Sequence, residues 1–431
     1  MIYILLMVMP AATVFFIRGR SFKDYFLSYA FFYINFFYLF PFFVLYLEGN
    51  LNYLGNQVIP DKQLLMIVCF FVFLSGFLLI DLISSQSKKR NGRRNNNYYN
   101  FKKIGYKLGV FGVVISAFFL LEQSLDVIYS VDGANARYSR VADGVRAEDI
   151  LFDLLFRYFK SYFYYGALIA LIVAGYRKWA LLLVILSILE AILAGGGRFH
   201  IGFQILILFH LVFAVRPAYA VFSLSALLLF FLPLIHFGKS IVFDLSVNRS
   251  FPDIVSSLRQ APGIEELVVS FSHPFVSMYK SEVLINEIGY RYFYDILQGP
   301  LFFLKIFGLD FGDSITYLNT GVLVGEKISM VPPGFVAFGF LQAGVFGVFV
   351  SGILYRLLGY LGELVIRRLN AKQDSGVYFI LAFPLANSFY HGDFRIFTTS
   401  IFLHLFVVYF VAKMALIPLP FRSRPVLDEG K

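Results

Sequence analysis

Three glycines followed by an arginine form the first pattern in this chain that could do chemistry. The turn AGGGRFHIG places Arg198 directly after the glycines and His200 two positions later. Glycines let the backbone approach a ligand closely and adopt positive φ values. The arginine presents a planar fork of donors that suits a phosphate, and a helix beginning there adds its positive amino terminus. We therefore predict that Arg198 and His200 bind a diphosphate. The alternative is a tight turn whose arginine reaches the membrane interface.

A second cluster, HGDFR, brings His391, Asp393 and Arg395 within five residues near the end of the chain. A carboxylate can orient either neighbour, and a histidine can accept a proton near neutral pH. The cluster predicts a general base at His391 or Asp393 and an anion ligand at Arg395. The alternative is an Asp–Arg pair that only closes a hairpin. His273 is a further candidate, for which a solvated or satisfied side chain is the alternative.

Residues 239–334 carry Lys280, for which a solvated side chain is the alternative, and also Arg249 and Arg291, which could bind a sugar phosphate. Tyr290, Tyr292 and Tyr294 flank the last of these and are available to stack on sugars. Asp310 and Asp313 resemble a metal pair only in spacing, because no histidine or third acid completes a site. A single cysteine, Cys69, excludes a disulfide framework and a cysteine-based metal centre. We expect neither a metal nor another cofactor.

The composition requires a membrane to position these residues. Hydrophobic residues make up 59% of the chain and charged residues only 15%, and the mean hydropathy is +0.73. Soluble domains are about 45–50% apolar and about 25% charged. The net charge of +10 is explained by bases in short cytoplasmic loops, which set the topology of membrane proteins. We therefore expect no nucleic-acid partner.

The apolar runs predict an all-α polytopic membrane protein with about eleven transmembrane helices, since a span needs about 20 apolar residues. The predicted spans are roughly 2–17, 26–47, 64–83, 108–130, 155–175, 179–195, 199–215, 218–238, 335–355, 376–390 and 396–414.

The charge pattern assigns a side to each loop. Residues 84–107 carry eight Lys and Arg and no acid, which predicts a cytoplasmic loop. Residues 1–238 then hold eight spans, 239–334 form a large extracytoplasmic loop, and 335–431 hold three spans and a cytoplasmic tail. Amphipathic pieces in the large loop predict short helices that lie against the membrane as a lid, one of them starting at Ser281–Glu282. The Arg198 turn, this loop and HGDFR all fall on the outer face.

Three features together resemble the O-antigen polymerase (Wzy-like) family of oligosaccharide repeat-unit polymerases. They are the many-span layout, the GGGRF turn midway, and the large outer loop that runs into MVPPGFVAFGFLQAGVFG. HGDFR also resembles the polar turn before the last spans of that family. The Arg-x10-Gly loop pairs of some members are absent, since neither Arg137 nor Arg249 has glycine eleven positions later.

The resemblance implies glycosyl transfer at the periplasmic face of the bacterial inner membrane. A growing glycan would move from one undecaprenyl diphosphate carrier to a repeat unit on another, without a metal. Arg198 would hold the diphosphate, Arg137 and Arg249 would assist, and His391, Asp393 or His273 would be the base. Expected partners are the lipid-linked donor and acceptor, membrane lipids, a chain-length regulator and a flippase.

Three alternatives remain at this point. An O-antigen ligase would use the same diphosphate site with a lipid acceptor. A polysaccharide or lipid transporter would favour charged residues inside the spans and internal repeats, whereas mainly Glu190 lies near the membrane centre and no repeat is evident. An acyltransferase would need a histidine in an apolar span reached from the cytosol, and HGDFR is predicted on the other side.

Overall fold

A computed structural model describes residues 25–87, 114, 164–172, 175–193, 198–213, 269, 272–301, 312–325, 331–369 and 375–398. These parts are mostly helical, which confirms the predicted fold class at that level. Two helical segments, Pro60–Ile80 and Gly334–Ile366, are long and apolar enough to cross a membrane. The number of spans and their sides stay predictions. Most of the basic loop 84–107 lies outside the described residues.

The elements follow the chain in one order. Helix α1 (Tyr25–Ile34) continues through a π-helical stretch (Asn35–Leu39) into α2 (Phe40–Glu48), followed by strands β1 (Leu51–Tyr53) and β2 (Asn56–Val58), a 3-10 turn (Pro60–Lys62) and α3 (Gln63–Ser87). Then come α4 (Arg177–Leu193), α5 (Arg198–Phe213), α6 (His273–Ile288), α7 (Tyr294–Leu301), α8 (Ile315–Val324), α9 (Gly334–Leu369), α10 (Ser375–His391) and α11 (Phe394–Phe397).

The π-helical stretch follows from a proline. Pro41 has no N–H to give to the carbonyl of residue 37, so the helix widens by one residue before it. This places the Tyr38 hydroxyl where it donates to the Pro274 carbonyl at 3.2 Å. Helix α2 ends at Gly49, which has a φ of 70° as is common after a helix. The wide turn thus connects the first helices to α6.

Glycines bring α3 and α9 into close contact. A methyl group added at Gly76 would overlap the Phe349 carbonyl oxygen, and one added at Gly352 would overlap the Phe73 carbonyl oxygen. Small residues allow this close backbone approach between apolar helices. Tyr355, one turn further along α9, packs against Phe73 and donates to the Ala386 carbonyl of α10 at 2.8 Å.

Helix α9 is not the continuous span predicted for residues 335–355. Ala343 (φ −160°) and Gly344 (φ 60°) are non-helical, and the chain reverses there. Phe335 and Tyr355 have ring centroids 5.2 Å apart, although a straight helix would separate them by about 30 Å. A short arm (334–342) therefore lies against a long arm (345–369). The long arm up to residue 366 extends about 33 Å and is long enough alone to cross a membrane.

Arg356 directly follows the span predicted for residues 335–355, which would put it in a cytoplasmic loop, but the structure places it within the long arm. Arg356 is 1% exposed, and its guanidinium lies over the Phe26 and Phe77 rings at 5.7 and 5.5 Å. Its charge thus faces the helix bundle rather than an aqueous loop.

Helix directions place the start of α5 and the end of α10 at the same end of the bundle. In α1 and the π-helical stretch, Tyr29 contacts Phe379 and Phe37 contacts Tyr390, so these segments run parallel to α10. In α5, Phe203 contacts Phe383 and the later His210 contacts Phe379, so α5 runs antiparallel to α10. The β-hairpin lies at this same end, because it follows α2.

Helix α6 is embedded in the bundle over its first half. Its residues from His273 to Tyr279 are all buried, whereas Glu282 and Val283 are exposed. The predicted helix start at Ser281–Glu282 is wrong. The helix begins at His273 with Pro274 in its first turn, a position that suits proline, and Ser281 bonds back to the Met278 carbonyl within the helix. The lid role of the long loop stays a prediction.

Candidate functional site

Several helix ends meet at one point beside the bundle axis. The starts of α6, α8 and the short arm of α9, the end of α10 and the start of α11 come together there. The side chain of Pro274 lies against Gly334, and the Gly334 backbone lies against Gly392. We call this place the helix-end junction and define it by His273, Ser277, Thr316, Asn319, Gly334, His391 and Asp393.

Polar side chains hold the segment before α9 at the junction. Asn319 Nδ2 donates to Ser277 Oγ at 2.9 Å and to the Val331 carbonyl at 2.8 Å. The Val331 N–H donates to Thr320 Oγ1 at 2.9 Å. The sequence analysis missed these residues. Their signal was polar positions 316, 319 and 320 on one face of an otherwise apolar helix.

Both carboxylate oxygens of Asp393 accept hydrogen bonds from neighbouring residues. Its Oδ1 accepts the N–H groups of Arg395 and Ile396 at 2.8 and 3.4 Å, so it caps α11. Its Oδ2 accepts the Thr316 hydroxyl at 2.5 Å, and Arg395 Nη2 lies 3.9 Å from the same oxygen. Both oxygens are thus engaged, which favours an anchoring role over the predicted role of a base.

His273 is the most unusual group of the junction. It is 2% exposed, and its ring lies edge-on to Tyr390 with centroids 4.0 Å apart. Neither ring nitrogen bonds a side chain within the described part of the chain, although the Pro332 carbonyl lies near enough to accept a bond from the ring. Burial, and then the nearby His391, lower the pKa of His273 to about 3, while the Pro332 carbonyl opposes this shift. The ring is therefore neutral at pH 7.

His391 lies beside it in a similar state. Its Nε2 is 3.4 Å from Asn387 Nδ2, and its Nδ1 is buried without a partner among the described residues. Burial lowers the pKa of His391 to about 4. Buried polar atoms are normally paired, so the buried His391 Nδ1 and the His273 ring, which no described side chain pairs, make these two histidines the candidate site.

Arg291 lies in a separate polar group, at the far end of the short arm of α9. Its Nη2 and Nε donate to the two Asp295 oxygens at 2.8 and 3.2 Å, and Gln342 donates to Asp295 at 2.7 Å. The bond to Asp295 raises the pKa of Arg291. We call Arg291, Asp295 and Gln342 the arginine clamp. Because its guanidinium is used internally, Arg291 is less available to a substrate than the sequence suggested.

The other predicted site residues are distributed as follows. Lys280 lies outside the junction, with Nζ 5.8 Å from the centre of the Tyr279 ring. Arg198 and His200 are in the first turn of α5, at the end of the bundle that α10 reaches, but their side chains lie outside what the structure describes. Arg137 and Arg249 also lie outside the described residues.

Among the described residues, no group of three or more His, Cys, Asp or Glu could hold a metal ion. The chain matches no family model, no curated protein and no solved structure.

Proposed function

We propose that this chain polymerises undecaprenyl-diphosphate-linked oligosaccharide repeat units at the periplasmic face of the bacterial inner membrane. The observation that carries the proposal is the pair of buried histidines, His273 and His391, each with a ring nitrogen that no side chain of the described residues pairs. They lie towards the end of the bundle where α5 begins with Arg198. A proton acceptor and a diphosphate ligand are the two groups that this transfer needs.

The chemistry is a displacement at an anomeric carbon. The bond from that carbon to the diphosphate oxygen breaks, a bond to the acceptor hydroxyl oxygen forms, and the hydroxyl proton passes to a histidine nitrogen. The leaving diphosphate is already an anion, so it needs an arginine rather than a protonating acid. A neutral histidine can accept the proton, and a nearby diphosphate would raise its pKa towards the working range.

The proposal assigns partners and a location. The donor and acceptor are both lipid-linked glycans in the outer leaflet, and their tails lie among the apolar helices and membrane lipids. A flippase supplies the repeat units, and a chain-length regulator is a further partner. The transfer uses no metal or other cofactor.

Replacing Arg198 tests the proposal. In a strain that lacks the chromosomal copy, Arg198→Ala should leave the protein level intact and abolish the ladder of long glycans on a glycolipid gel. Lipid A–core carrying a single repeat should remain. Arg198→Lys should restore little, because a point charge replaces a bidentate fork. Arg177→Ala at the start of α4, the opposite end of the same helical pair, is the matched control and should keep the ladder. A full ladder with Arg198→Ala would refute the diphosphate role.

A transporter of the same lipid-linked glycans is the second candidate. The reversal in α9 and the break between α10 and α11 favour it, because the amino termini of discontinuous helices bind anionic substrate groups in many transporters. The Arg198→Ala strain separates the two. Loss of transport removes even the single repeat from lipid A–core, whereas loss of polymerisation leaves it. A ligase is separated in the same gel, since its loss leaves long glycan on undecaprenyl diphosphate and none on lipid A–core.

A further inference from the structure

A second site lies about the loop from Tyr290 to Tyr294, away from the helix-end junction. Three tyrosines alternate along it, and Tyr290, Tyr292 and Tyr294 are 43%, 76% and 41% exposed. The Tyr290 and Tyr292 ring centroids are 6.2 Å apart with the planes inclined at 57°. The rings thus form an open aromatic surface, which we call the tyrosine platform.

The backbone of this loop is strained and firmly held. Tyr292 and Phe293 have φ values of 47° and 63°, and residues with side chains pay about 1–3 kcal/mol for each such conformation. The N–H groups of Arg291 and Tyr292 donate to the Leu341 and Gln342 carbonyls at 3.1 and 3.0 Å. The Phe293 N–H donates to the Gln342 side chain at 2.8 Å. These bonds satisfy carbonyls at the end of the short arm of α9.

The arginine clamp holds the loop in place through side-chain contacts. Arg291 is paired in bidentate geometry with Asp295, which is 2% exposed, and its guanidinium lies over the Tyr294 ring at 5.5 Å. Its Nη2 also donates to the Asp313 carbonyl at 3.3 Å, which places the exposed Asp313 beside the platform. Strain that persists only because its surroundings impose it is a feature of binding sites.

We infer that the tyrosine platform binds the pyranose rings of a glycan. The C–H faces of a sugar carry partial positive charge and fit the negative face of a tyrosine ring. The phenol hydroxyls and the Asp313 carboxylate provide hydrogen bonds to sugar hydroxyls at the rim. Aromatic walls with a few polar groups are the usual lining of small-ligand sites. Tyrosines that only anchor a protein in the membrane interface need exposure but no fixed backbone, so the strained loop favours the glycan.

This inference rests on the proposed function for the identity of the ligand, and gives it a holding site for the glycan chain apart from the reacting centre. Such a site would keep a growing chain engaged between transfers. Arg291 acts in it as a positioning residue rather than as a ligand.

A fluorescence experiment tests the platform. The chain has one tryptophan, Trp179, so Tyr292→Trp in a Trp179→Phe background reports on the platform alone. The full chain is placed in nanodiscs and titrated with lipid-free oligosaccharide of two to three repeats, released by mild acid from the source strain. The emission should shift and saturate. Unchanged emission with oligosaccharide, together with quenching by brominated lipid tails, would show a membrane anchor and overturn the inference.

Direct binding measurements on variants complete the test. Tyr292→Asn removes the ring while keeping a residue that tolerates positive φ, and should weaken oligosaccharide binding about fivefold to tenfold by calorimetry. Tyr292→Phe should bind like the unaltered chain. Tyr46→Asn, at an exposed tyrosine of α2 outside the platform, is the control and should have no effect. Equal affinity for Tyr292→Asn and the unaltered chain would refute the platform.

The experiments can refute the polymerase proposal and the tyrosine platform independently of each other. If Arg198→Ala keeps the long ladder while Tyr292→Asn loses oligosaccharide binding, the diphosphate role is wrong and the platform stands. If the ladder is lost but oligosaccharide binding is the same in every tyrosine variant, the platform is wrong and the polymerase proposal stands.

Discussion

At the scale of one residue, the two histidines of the helix-end junction show how burial in a packed bundle changes the pKa of a side chain. The sequence predicted His273 and His391 as bases from residue type alone, and the structure places them next to each other although 118 positions separate them. The sequence does not predict the burial of these histidines, because the aromatic rings around His273 come from three distant segments, at Phe37, Tyr53 and Tyr390. The spacing of residues also does not reveal that the Thr316 hydroxyl donates to the Asp393 carboxylate, since the two residues are brought together only by tertiary contacts.

The two histidines should make stability depend on pH. Their folded pKa values, about 3 and about 4, lie below the ordinary value of about 6.5. Their contribution is therefore complete above pH 6.5 and is lost as the pH falls, because the unfolded chain then binds protons that the folded chain does not. Each histidine should lower the free energy of unfolding by about 2 kcal/mol between pH 7 and pH 5.

Thermal unfolding in detergent at both pH values measures this effect. His273→Gln and His391→Gln should each reduce the loss of stability between pH 7 and pH 5, and the double variant should reduce it further. The comparison uses the difference between pH values, so a lower absolute stability of the variants does not affect it. An unchanged pH difference in the double variant would show that the histidines are already solvated.

Variants of Asp393 test whether its carboxylate anchors the helix ends or acts as a catalytic base. Asp393→Asn keeps an oxygen that can cap α11 and places an amide N–H where it can donate to the Thr316 hydroxyl, so it should retain most of the stability and the glycan ladder. Asp393→Ala removes both bonds and should destabilise the protein by about 1–2 kcal/mol. If Asp393→Asn folds normally and yields no polymer, the carboxylate is a catalytic group and the anchoring role is insufficient.

At the scale of an element, the reversal in α9 shows what hydrophobic patterning cannot resolve. The run GFVAFGFLQAGVFGVFVSGIL reads as one apolar span, because a hairpin of two helices buries the same residue types as a straight helix. Gly344 and the buried Gln342 were the only signals within the run. The glycine supplies the non-helical turn, and the glutamine binds Asp295 in the arginine clamp. In α6 the sequence placed the start at Ser281, but Pro274 was the better signal.

A chemical cross-link tests the reversal. In a Cys69→Ala background, Phe335→Cys combined with Tyr355→Cys should be joined by a short bismaleimide, because the native side chains are in contact across the hairpin. A linker is needed because a direct disulfide requires Cα atoms closer than about 7 Å. Phe335→Cys combined with Leu361→Cys is the control, since Leu361 is exposed and lies further along the long arm. The test is read after denaturation as a loss of labelling by a second maleimide at both cysteines. Full labelling of the first pair would indicate a straight helix.

For the whole molecule, the sequence predicted a polytopic membrane protein, and the described residues confirm a mostly helical chain with two helices able to span. Composition determines that much, because so apolar a chain must bury its helices in lipid or in one another. The shared position of the α5 start and the α10 end agrees with the predicted topology in relative terms. The charge of the loops carries the information on which end faces the periplasm.

Site-specific labelling decides the orientation and with it the proposed function. The turn before α4 lies at the opposite end from the β-hairpin, because α4 and α5 pair and α5 starts at the hairpin end. In the Cys69→Ala background, Leu54→Cys at the hairpin tip, which is 59% exposed, should react with an impermeant maleimide in intact spheroplasts. Lys178→Cys, also exposed, should react only after lysis, and Arg177 keeps a positive charge in its turn. The reverse pattern would place Arg198 in the cytoplasm, where an outer-leaflet donor could not reach it, and would exclude the polymerase.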